Sequence, residues 1–368
     1  YGEAFKVLCK STVLPSVCGK ICPVDKQCQG SCAKKVSYDP VEIGKLESYV
    51  GDLAVENGWK LPRKGKKKER IAVIGSGPSG LTCAGFLAEN GYQVTIYEKH
   101  EYLGGLLYHG IPKFRLNKEL VSKVIKQILD LGIEVKTNVS LGKDISLKEL
   151  EKEYDAVFLG LGANVSKMMG LSGEELNGVY GANELLENLV QVDYTSKRVV
   201  VIGGGGVSID MARTAIKEGA SEVGIIYRRS RSEMSAEMND IRAAKKEGIK
   251  FLFIKVIGED KVNGIECVKT TLDKEKKAIN VEGSNFVIDT DVVIMAVGSR
   301  ADSELLESLK LDVKENGYLM VNSNNQTSNP KIFAAGDLTG AKSTVAWACR
   351  NGRDTAYSIM KFLSKEGE

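Results

Sequence analysis

Apolar positions along the chain follow two rhythms. Short apolar runs of strand length alternate with longer segments in which apolar residues recur every three or four positions. Residues 1–58 have the helical rhythm, interrupted by a Cys-rich loop over 18–32. A basic stretch, residues 60–70, reads as a solvated linker because an apolar run follows it. Strands are expected at 71–74, 93–97, 133–136 and 156–159, with helices at 78–90 and 118–131 between them. The scheme then restarts with strands at 198–202 and 222–227 and helices at 207–218 and 235–247. Residues 251–254 and 292–296 continue it, while 265–271 and 278–287 read as a β excursion. Residues 300–368 close on a Gly-Asp turn and a long helix from about Thr344. Strands alternating with helices imply parallel sheets covered by helices.

Glycines punctuate both halves at the same place. Gly75-Ser-Gly77-Pro78-Ser79-Gly80 follows a strand and opens a helix, and Glu98-Lys99 ends the next strand. That context is a dinucleotide fingerprint. Gly75 permits the tight turn, Gly77 lets backbone approach a pyrophosphate, and Gly80 lets helix and strand pack closely. The helix N-terminus presents N–H groups to phosphate, and Glu98 can accept from a ribose diol. The second cluster is Gly203-Gly204-Gly205-Gly206-Val207, with Ser208 at the third glycine position. Its next strand ends in Tyr227-Arg228-Arg229-Ser-Arg231 instead of a carboxylate. Two guanidinium groups there suit a 2′-phosphate, so this site is expected to take NADPH and the first the ADP half of FAD. In Lys331-Ile-Phe-Ala-Ala-Gly336-Asp337 a strand ends in Gly-Asp, so the Asp337 carboxylate can reach ribityl hydroxyls. The helix beginning near Thr344 and Val345 can point its positive end at the flavin N1/O2 edge. The expected fold class is α/β, with two nested Rossmann-like domains of three-layer build behind a small helical Cys-rich, ferredoxin-like domain. The expected boundaries are 1–68 for the Cys-rich domain, 69–195 and 301–368 for the FAD domain, and 196–300 for the NADPH domain.

Composition narrows the function classes. The chain has 368 residues, 43% of them apolar, and 39 glycines, which suits many tight turns. A net charge of +3 gives no reason to expect nucleic acid. No apolar run is long enough to span a membrane and no secretory signal pattern is present, so a cytoplasmic protein is expected. The first residue is Tyr1, so residues upstream are expected to be missing. Five of the eight cysteines, Cys9, Cys18, Cys22, Cys28 and Cys32, lie at the start. An intracellular dehydrogenase-like body favours metal over disulfides. Thiolates at the 18–32 spacings suit [4Fe–4S] clusters, and a single zinc is the alternative. Cys83, Cys267 and Cys349 are isolated, and Cys83 and Cys349 read as packing residues of buried helices. Of the two histidines, His109 reads as structural.

The motifs taken together carry a resemblance. Residues 74–80, Gly104-Gly-Leu-Leu-Tyr-His-Gly-Ile-Pro-Lys-Phe-Arg-Leu116, Tyr227-Arg-Arg and Ala334-Ala-Gly-Asp337 closely resemble the NADPH-dependent glutamate synthase small (β) subunit family. Relatives of that family include the N-terminal half of dihydropyrimidine dehydrogenase and the large subunit of NADH-dependent ferredoxin:NADP oxidoreductase. The match implies that Gly105, Leu106 and Arg115 line the FAD site, with Gly162 alongside and Leu141 near the adenine. It places Ala296, Val297 and Gly298 along the NADP side. It makes Cys22 and Cys28 ligands of one cluster with Glu47 as oxygen ligand, and Cys32 a ligand of another; Cys18 is not a ligand in that scheme but remains a candidate if the four cysteines close on one metal. Gly206 and Ser235 depart from the family pattern near the NADP site. The family's upstream Cys-rich motif is absent, so its two clusters are expected to be incomplete here. The implied activity is hydride transfer from NADPH to FAD, with no protein acid or nucleophile, and onward electron transfer to a large glutamate synthase subunit or another electron-accepting subunit. A ferredoxin:NADP oxidoreductase or other electron-input subunit, and a FAD/NADPH-binding module without turnover, stay open.

Overall fold

A computed structural model describes residues 1–229, 233–252, 254–257, 264–273, 275 and 278–365. It divides into two compact units, Tyr1–Ala163 with Ala301–Glu368, and Asn164–Arg300. The chain opens on helices α1 (Gly2–Cys9), α2 (Pro15–Ile21) and α3 (Ile43–Glu56). Cys18 therefore lies inside a helix and not in the expected loop. Pro15 occupies the first turn of α2, where its missing N–H costs nothing, and Val17, Cys18 and Ile21 are buried.

Strands and helices then alternate: β1 (Arg70–Ile74), α4 (Pro78–Glu89), β2 (Gln93–Tyr97), α5 (Lys118–Leu129), β3 (Glu134–Lys136), α6 (Leu147–Glu153) and β4 (Ala156–Leu159). The second unit contributes β5 (Val165–Ser166), β6 (Val179–Gly181), α7 (Ala182–Leu186), β7 (Arg198–Ile202), α8 (Gly206–Lys217), β8 (Glu222–Ile226), α9 (Met238–Lys246), β9 (Lys250–Leu252), β10 (Ile254–Ile257), β11 (Gly264–Leu272), β12 (Ala278–Asp289), β13 (Val292–Met295) and β14 (Ser299–Arg300). The chain returns to the first unit with α10 (Ser303–Leu309), β15 (Ile332–Ala334) and α11 (Val345–Lys365).

Each unit is built on a parallel sheet, in the order β15-β4-β1-β2-β3 in the first and β6-β13-β7-β8-β9 in the second. Side chains alternate across each sheet. In the first unit Ile71, Val73, Phe158 and Phe333 enter one core, and Ala72, Ile74, Val157 and Leu159 enter another. The second unit does the same, and its Val200, Ile202 and Val293 face pack with Ile265 and Cys267 of β11. That strand is the middle of an antiparallel sheet, β10-β11-β12.

Three expectations are corrected. The break between units falls at residue 163, not 195, because β6 pairs with β13 and β5 with β14 inside the second unit. Strands of two or three residues carry no readable period. The helix expected from 235 starts at Met238, because Ala236 N (3.1 Å) and Ser235 Oγ (3.4 Å) donate to Gly204 O. The strand expected over 251–254 is two strands in different sheets, β9 and β10, with residue 253 outside the described residues.

The Cys-rich segment is not packed as a body of its own. Phe5, Val13, Leu14, Val17 and Cys18 belong to the same core as Leu81, Phe86 and Ile128 of α4 and α5 and Ile359 of α11. On α4, Gly85 leaves room for Val13, whose Cγ1 would lie 3.1 Å from a Cβ there. Leu14 is fully buried in this shared core. Leu14→Ala should lower the unfolding free energy by about 2–5 kcal/mol. In urea titrations followed by fluorescence and circular dichroism, the helical segment and the first sheet should shift together in one transition; an early, separate loss of the segment would refute the shared core.

Candidate functional site

The first glycine turn lies where the strand order reverses, between β1 and β4. Open α/β sheets bind ligands at such a switch point. Gly75 has φ 95°, and a Cβ on it would stand 2.5 Å from Gly160 O beyond β4. A Cβ on Gly80 would stand 1.9 Å from Gly75 O, so α4 is pressed against the turn. At Gly77 a Cβ would meet nothing within 4 Å. Gly77 thus faces open space in front of the first turn of α4, which begins at Pro78. Gly105 (φ 51°) backs onto it, its Cβ position 2.8 Å from Gly77 Cα, and Gly104 N donates to Ser76 Oγ at 3.0 Å. The Gly104-Gly105 segment is therefore brought to the first turn by tertiary packing.

Glu98, at the end of β2, is 4% exposed. Its carboxylate accepts from Ser76 N (2.9 Å) and Ser76 Oγ (2.5 Å) on one oxygen and from His100 N (3.0 Å) on the other. It anchors the glycine turn and keeps lone pairs for further donors. Asp337 follows β15, and its Oδ1 is buried without a hydrogen-bond partner. Burial pushes its carboxyl up to about 6, against the Ser343 hydroxyl, which lowers it. Ser79 Oγ is likewise buried and unpartnered. The two residues belong to one corner: a Cβ on Gly336 would lie 3.1 Å from Ser79 Cβ, and one on Gly352 of α11 would lie 2.2 Å from Ser79 O. Thr344 Oγ1 accepts from Trp347 N at 3.4 Å at the start of α11. Leu106, Arg115, Gly162, Thr344 and Val345 are half-buried and Lys99 is exposed. Leu141 is buried in the core that contains Ile74 and Tyr97.

The second turn repeats the device between β7 and β13. Gly203 has φ 147°, and a Cβ on it would stand 2.2 Å from Ala296 O. Gly204 lies against the Tyr227 ring, 2.5 Å from a Cβ there. Gly205 caps α8, Ser208 Oγ donates to Gly205 O at 2.7 Å, and Gly206 opens the helix. Val207, Arg228, Val297 and Gly298 are exposed. Arg229 is half-buried, and its Nε is buried with no hydrogen-bond partner. Ser230 and Arg231 lie outside the described residues.

A third feature was not anticipated in this form. Cys18, Cys22, Cys28, Glu47 and Cys349 line one cavity of ≈ 380 Å³, with Arg350 and Arg353 at its wall. Cys349 is thus not only a packing residue of α11, as the sequence suggested, but a neighbour of the N-terminal cysteines. Hydrogen bonds to Cys22 and Cys349, with burial, hold the Cys18 thiol well above its ordinary value. Burial pushes Glu47 up to about 7 and raises Cys28. Cys32 does not line the cavity, and backbone N–H groups of Val41 and Lys34 lower its thiol. Gln27 Nε2 donates to Thr344 Oγ1 at 3.0 Å, tying the cysteine segment to the start of α11. Among the described residues no three His, Cys, Asp or Glu side chains form a ready cage for a metal ion. Of the four cysteines, Cys18, Cys22 and Cys28 line the cavity and Cys32 does not, so they do not share one space. Gln27, Cys349, Arg350 and Arg353 carry no local signal in the sequence, because only the fold brings residues 27 and 344–353 together.

Residues 69–356 match the family model described as pyridine nucleotide-disulphide oxidoreductase. The chain belongs to this family. Residues 1–59 match a second model, described as dihydropyrimidine dehydrogenase domain II, 4Fe-4S cluster. The glutamate synthase [NADPH] small chain of Escherichia coli (strain K12) is 37% identical, the alignment covering 98% of this chain and 83% of that protein. The family membership therefore extends to the glutamate synthase small chain and its relatives. One of them, the NADP(+)-dependent formate dehydrogenase subunit beta of Moorella thermoacetica, is 31% identical over 99% of this chain and 56% of its own length. Among solved structures, FprA of Mycobacterium tuberculosis in complex with NADPH superimposes with a TM-score of 0.71, at 20% identity, over 82% of this chain and 86% of that one. That likeness is one of fold. No helix among the described residues is long and apolar enough to cross a membrane.

The buried Asp337 sets a pH dependence in this oxidoreductase. Its folded value, about 6, lies above the ordinary 3.8, so the folded state binds more protons than the unfolded one between those limits. The contribution of this group is fully present below pH 4 and is lost as pH rises through about 6, at most about 3 kcal/mol. Asp337→Asn should remove that decline and stabilise the cofactor-free protein at pH 7.5. Urea midpoints at pH 4.5, 6 and 7.5 measure it; an unchanged slope in the variant would exclude Asp337 as its source.

Proposed function

We propose that the chain is an NADPH-oxidising flavoprotein, acting as the small subunit of a glutamate synthase and delivering electrons to a large, electron-accepting subunit. Bound FAD and NADPH supply hydride exchange between nicotinamide and flavin, and iron–sulfur groups supply one-electron carriage onward. The observation that carries this reading is the pair of glycine turns at switch points, one followed by Glu98 and the other by Arg228 and Arg229.

The residues at the first turn fit FAD. Gly77 leaves space for a pyrophosphate, and the N-terminus of α4 supplies N–H groups and the positive end of its dipole. Glu98 accepts from the ribose diol on its remaining lone pairs, with Lys99 beside it. Asp337 Oδ1 is a buried acceptor that lacks a donor, which a ribityl hydroxyl satisfies. Gly105, Leu106, Arg115, Leu141, Gly162, Gly336, Thr344 and Val345 complete the set we assign to FAD. At the second turn we assign Gly203, Gly204, Gly205, Gly206, Val207, Ala296, Val297 and Gly298 to NADPH. Arg229 Nε, a buried donor without an acceptor, and the exposed Arg228 fit a 2′-phosphate. Cys22, Cys28 and Glu47 share one cavity and Cys32 stands outside it, which fits ligation of one cluster by the first three and of another by Cys32. No acid, base or nucleophile is required of the protein; it orients the two cofactors and holds their charges.

A second reading, an electron-input subunit for a different reductase, is favoured by the likeness to the formate dehydrogenase subunit. Identifying the co-purifying subunit decides between the two.

Extraction should yield non-covalent FAD, and anaerobic NADPH should bleach it far faster than NADH. Replacing Arg228 and Arg229 together by Ala should raise the apparent KM for NADPH about tenfold or more, since a charged hydrogen bond contributes about 1.5–3 kcal/mol. KM for NADH should change little. Equal losses for both cofactors in stopped-flow assays would mean that the arginines support the fold and do not read a phosphate.

A further inference from the structure

The antiparallel sheet β10-β11-β12 supplies neither glycine turn, yet one of its side chains reaches the second site. Thr270 Oγ1, on β11, donates to Arg228 O at 3.2 Å. Ile265 and Cys267 of the same strand pack against the parallel sheet. Side chains alternate along a strand, so Lys269 is the next residue expected to point that way. The alternation breaks there: Lys269 is exposed, and Thr270 reaches the segment that follows β8 instead. The break coincides with a bulge. Val268 pairs with Asn285 and Thr270 with Asn280, which leaves residues 281–284 of β12 opposite Lys269 alone. Gly283, at φ 70°, lets β12 make that excursion. Lys269 N donates to Ser284 Oγ at 3.1 Å, and Ser284 Oγ donates in turn to Val281 O. The bulge is thus closed by its own hydrogen bonds. Bulges of this kind re-aim a side chain.

The segment after β8 is pinned at Tyr227 and again at Arg228. The Tyr227 ring lies against Gly204, and its hydroxyl donates to Glu233 O at 2.9 Å. Thr270 holds the Arg228 carbonyl. That carbonyl belongs to the planar peptide unit joining Arg228 to Arg229, so its orientation sets the direction in which both arginine side chains leave the backbone. A guanidinium reads a phosphate through a rigid fork of N–H groups, and such a reading gains from a fixed backbone.

We infer that Thr270 is a specificity-determining positioning residue of the NADPH site, aiming Arg228 and Arg229 at the 2′-phosphate by holding the peptide between them. This rests on the reading of those arginines as the groups that take the phosphate. Thr270 acts through the backbone, so it contributes to binding of the phosphorylated ribose and not to hydride transfer. The β11–β12 bulge is the device that brings it there.

The test is isothermal titration calorimetry of the purified protein with adenosine 2′,5′-bisphosphate, which carries the 2′-phosphate and lacks nicotinamide, and with 5′-AMP, which lacks both. The wild-type chain should bind the bisphosphate more tightly. Thr270→Val keeps the side-chain shape and removes the donor. It should weaken the bisphosphate about two- to tenfold, the range for one hydrogen bond, and leave 5′-AMP unchanged. Thr270→Ser keeps the hydroxyl and should bind both as the wild type does. With Arg228 and Arg229 already replaced by Ala, Thr270→Val should add no further loss. Ser284→Ala opens the bulge while leaving Thr270 in place, and it should also weaken the bisphosphate selectively. Circular dichroism melts report folding; if Thr270→Val does not fold, Ser284→Ala decides by the same criteria. Unchanged bisphosphate binding, or an equal loss for 5′-AMP, in a protein whose wild type prefers the bisphosphate would overturn this inference alone. A wild-type chain that binds the two nucleotides equally would overturn the arginine reading and this inference with it.

Discussion

The first unit depends on the close crossing of α4 and α11. Gly352 brings α11 so near the first turn of α4 that a Cβ would stand 2.2 Å from Ser79 O. That contact places three things at once. It sets the start of α4 beside Asp337, it fixes where α11 begins, and it aligns the next turns of α11 with the N-terminal helices. Along the crossing, Phe86 meets Tyr357 edge-on at 5.9 Å between ring centres, and Gly85 admits Val13 from the cysteine segment. Bulk at any of these small positions would open the corner in which the flavin site is proposed.

The second unit builds its turn from four consecutive glycines, Gly203 to Gly206. Its first glycine is pressed on Ala296 O as Gly75 is pressed on Gly160 O. Its third position is Ser208, whose hydroxyl satisfies Gly205 O where the first unit has bare backbone contact. What differs is the end of the following strand. A buried carboxylate organises the first turn from below, whereas the second presents guanidinium groups, one of them with an unsatisfied buried donor. The two sites thus share backbone geometry and are distinguished by charge.

Buried polar atoms without partners are costly. Three such atoms, on Ser79, Asp337 and Arg229, occur at the positions assigned to cofactors. A fold that leaves them unpaired carries a cost that a ligand of complementary chemistry offsets, which is the physical sense in which these corners are prepared for one. At the cysteines, burial pushes Glu47 up to about 7, in a cavity also lined by thiols and two arginines.

The β-α-β order, both glycine turns, Glu98 and the paired arginines were legible in the sequence because each is a local pattern. Period, turn residue and strand-end charge lie within about 25 residues of one another in every case. The strand boundaries at residues 93–97, 156–159 and 198–202 agree with the observed elements for the same reason. The break at residue 163 was not legible, since β5 and β6 are too short to show a period and owe their existence to partners in β13 and β14. Nor was the place of Cys349, which reads as any buried helical cysteine until α11 is laid against α2 and α4. Sequence alone determined which chemistry the chain carries and in what order. Tertiary packing decided which distant side chains share a space, because contacts between residue 18 and residue 349 depend on helix crossings that leave no trace in local periodicity.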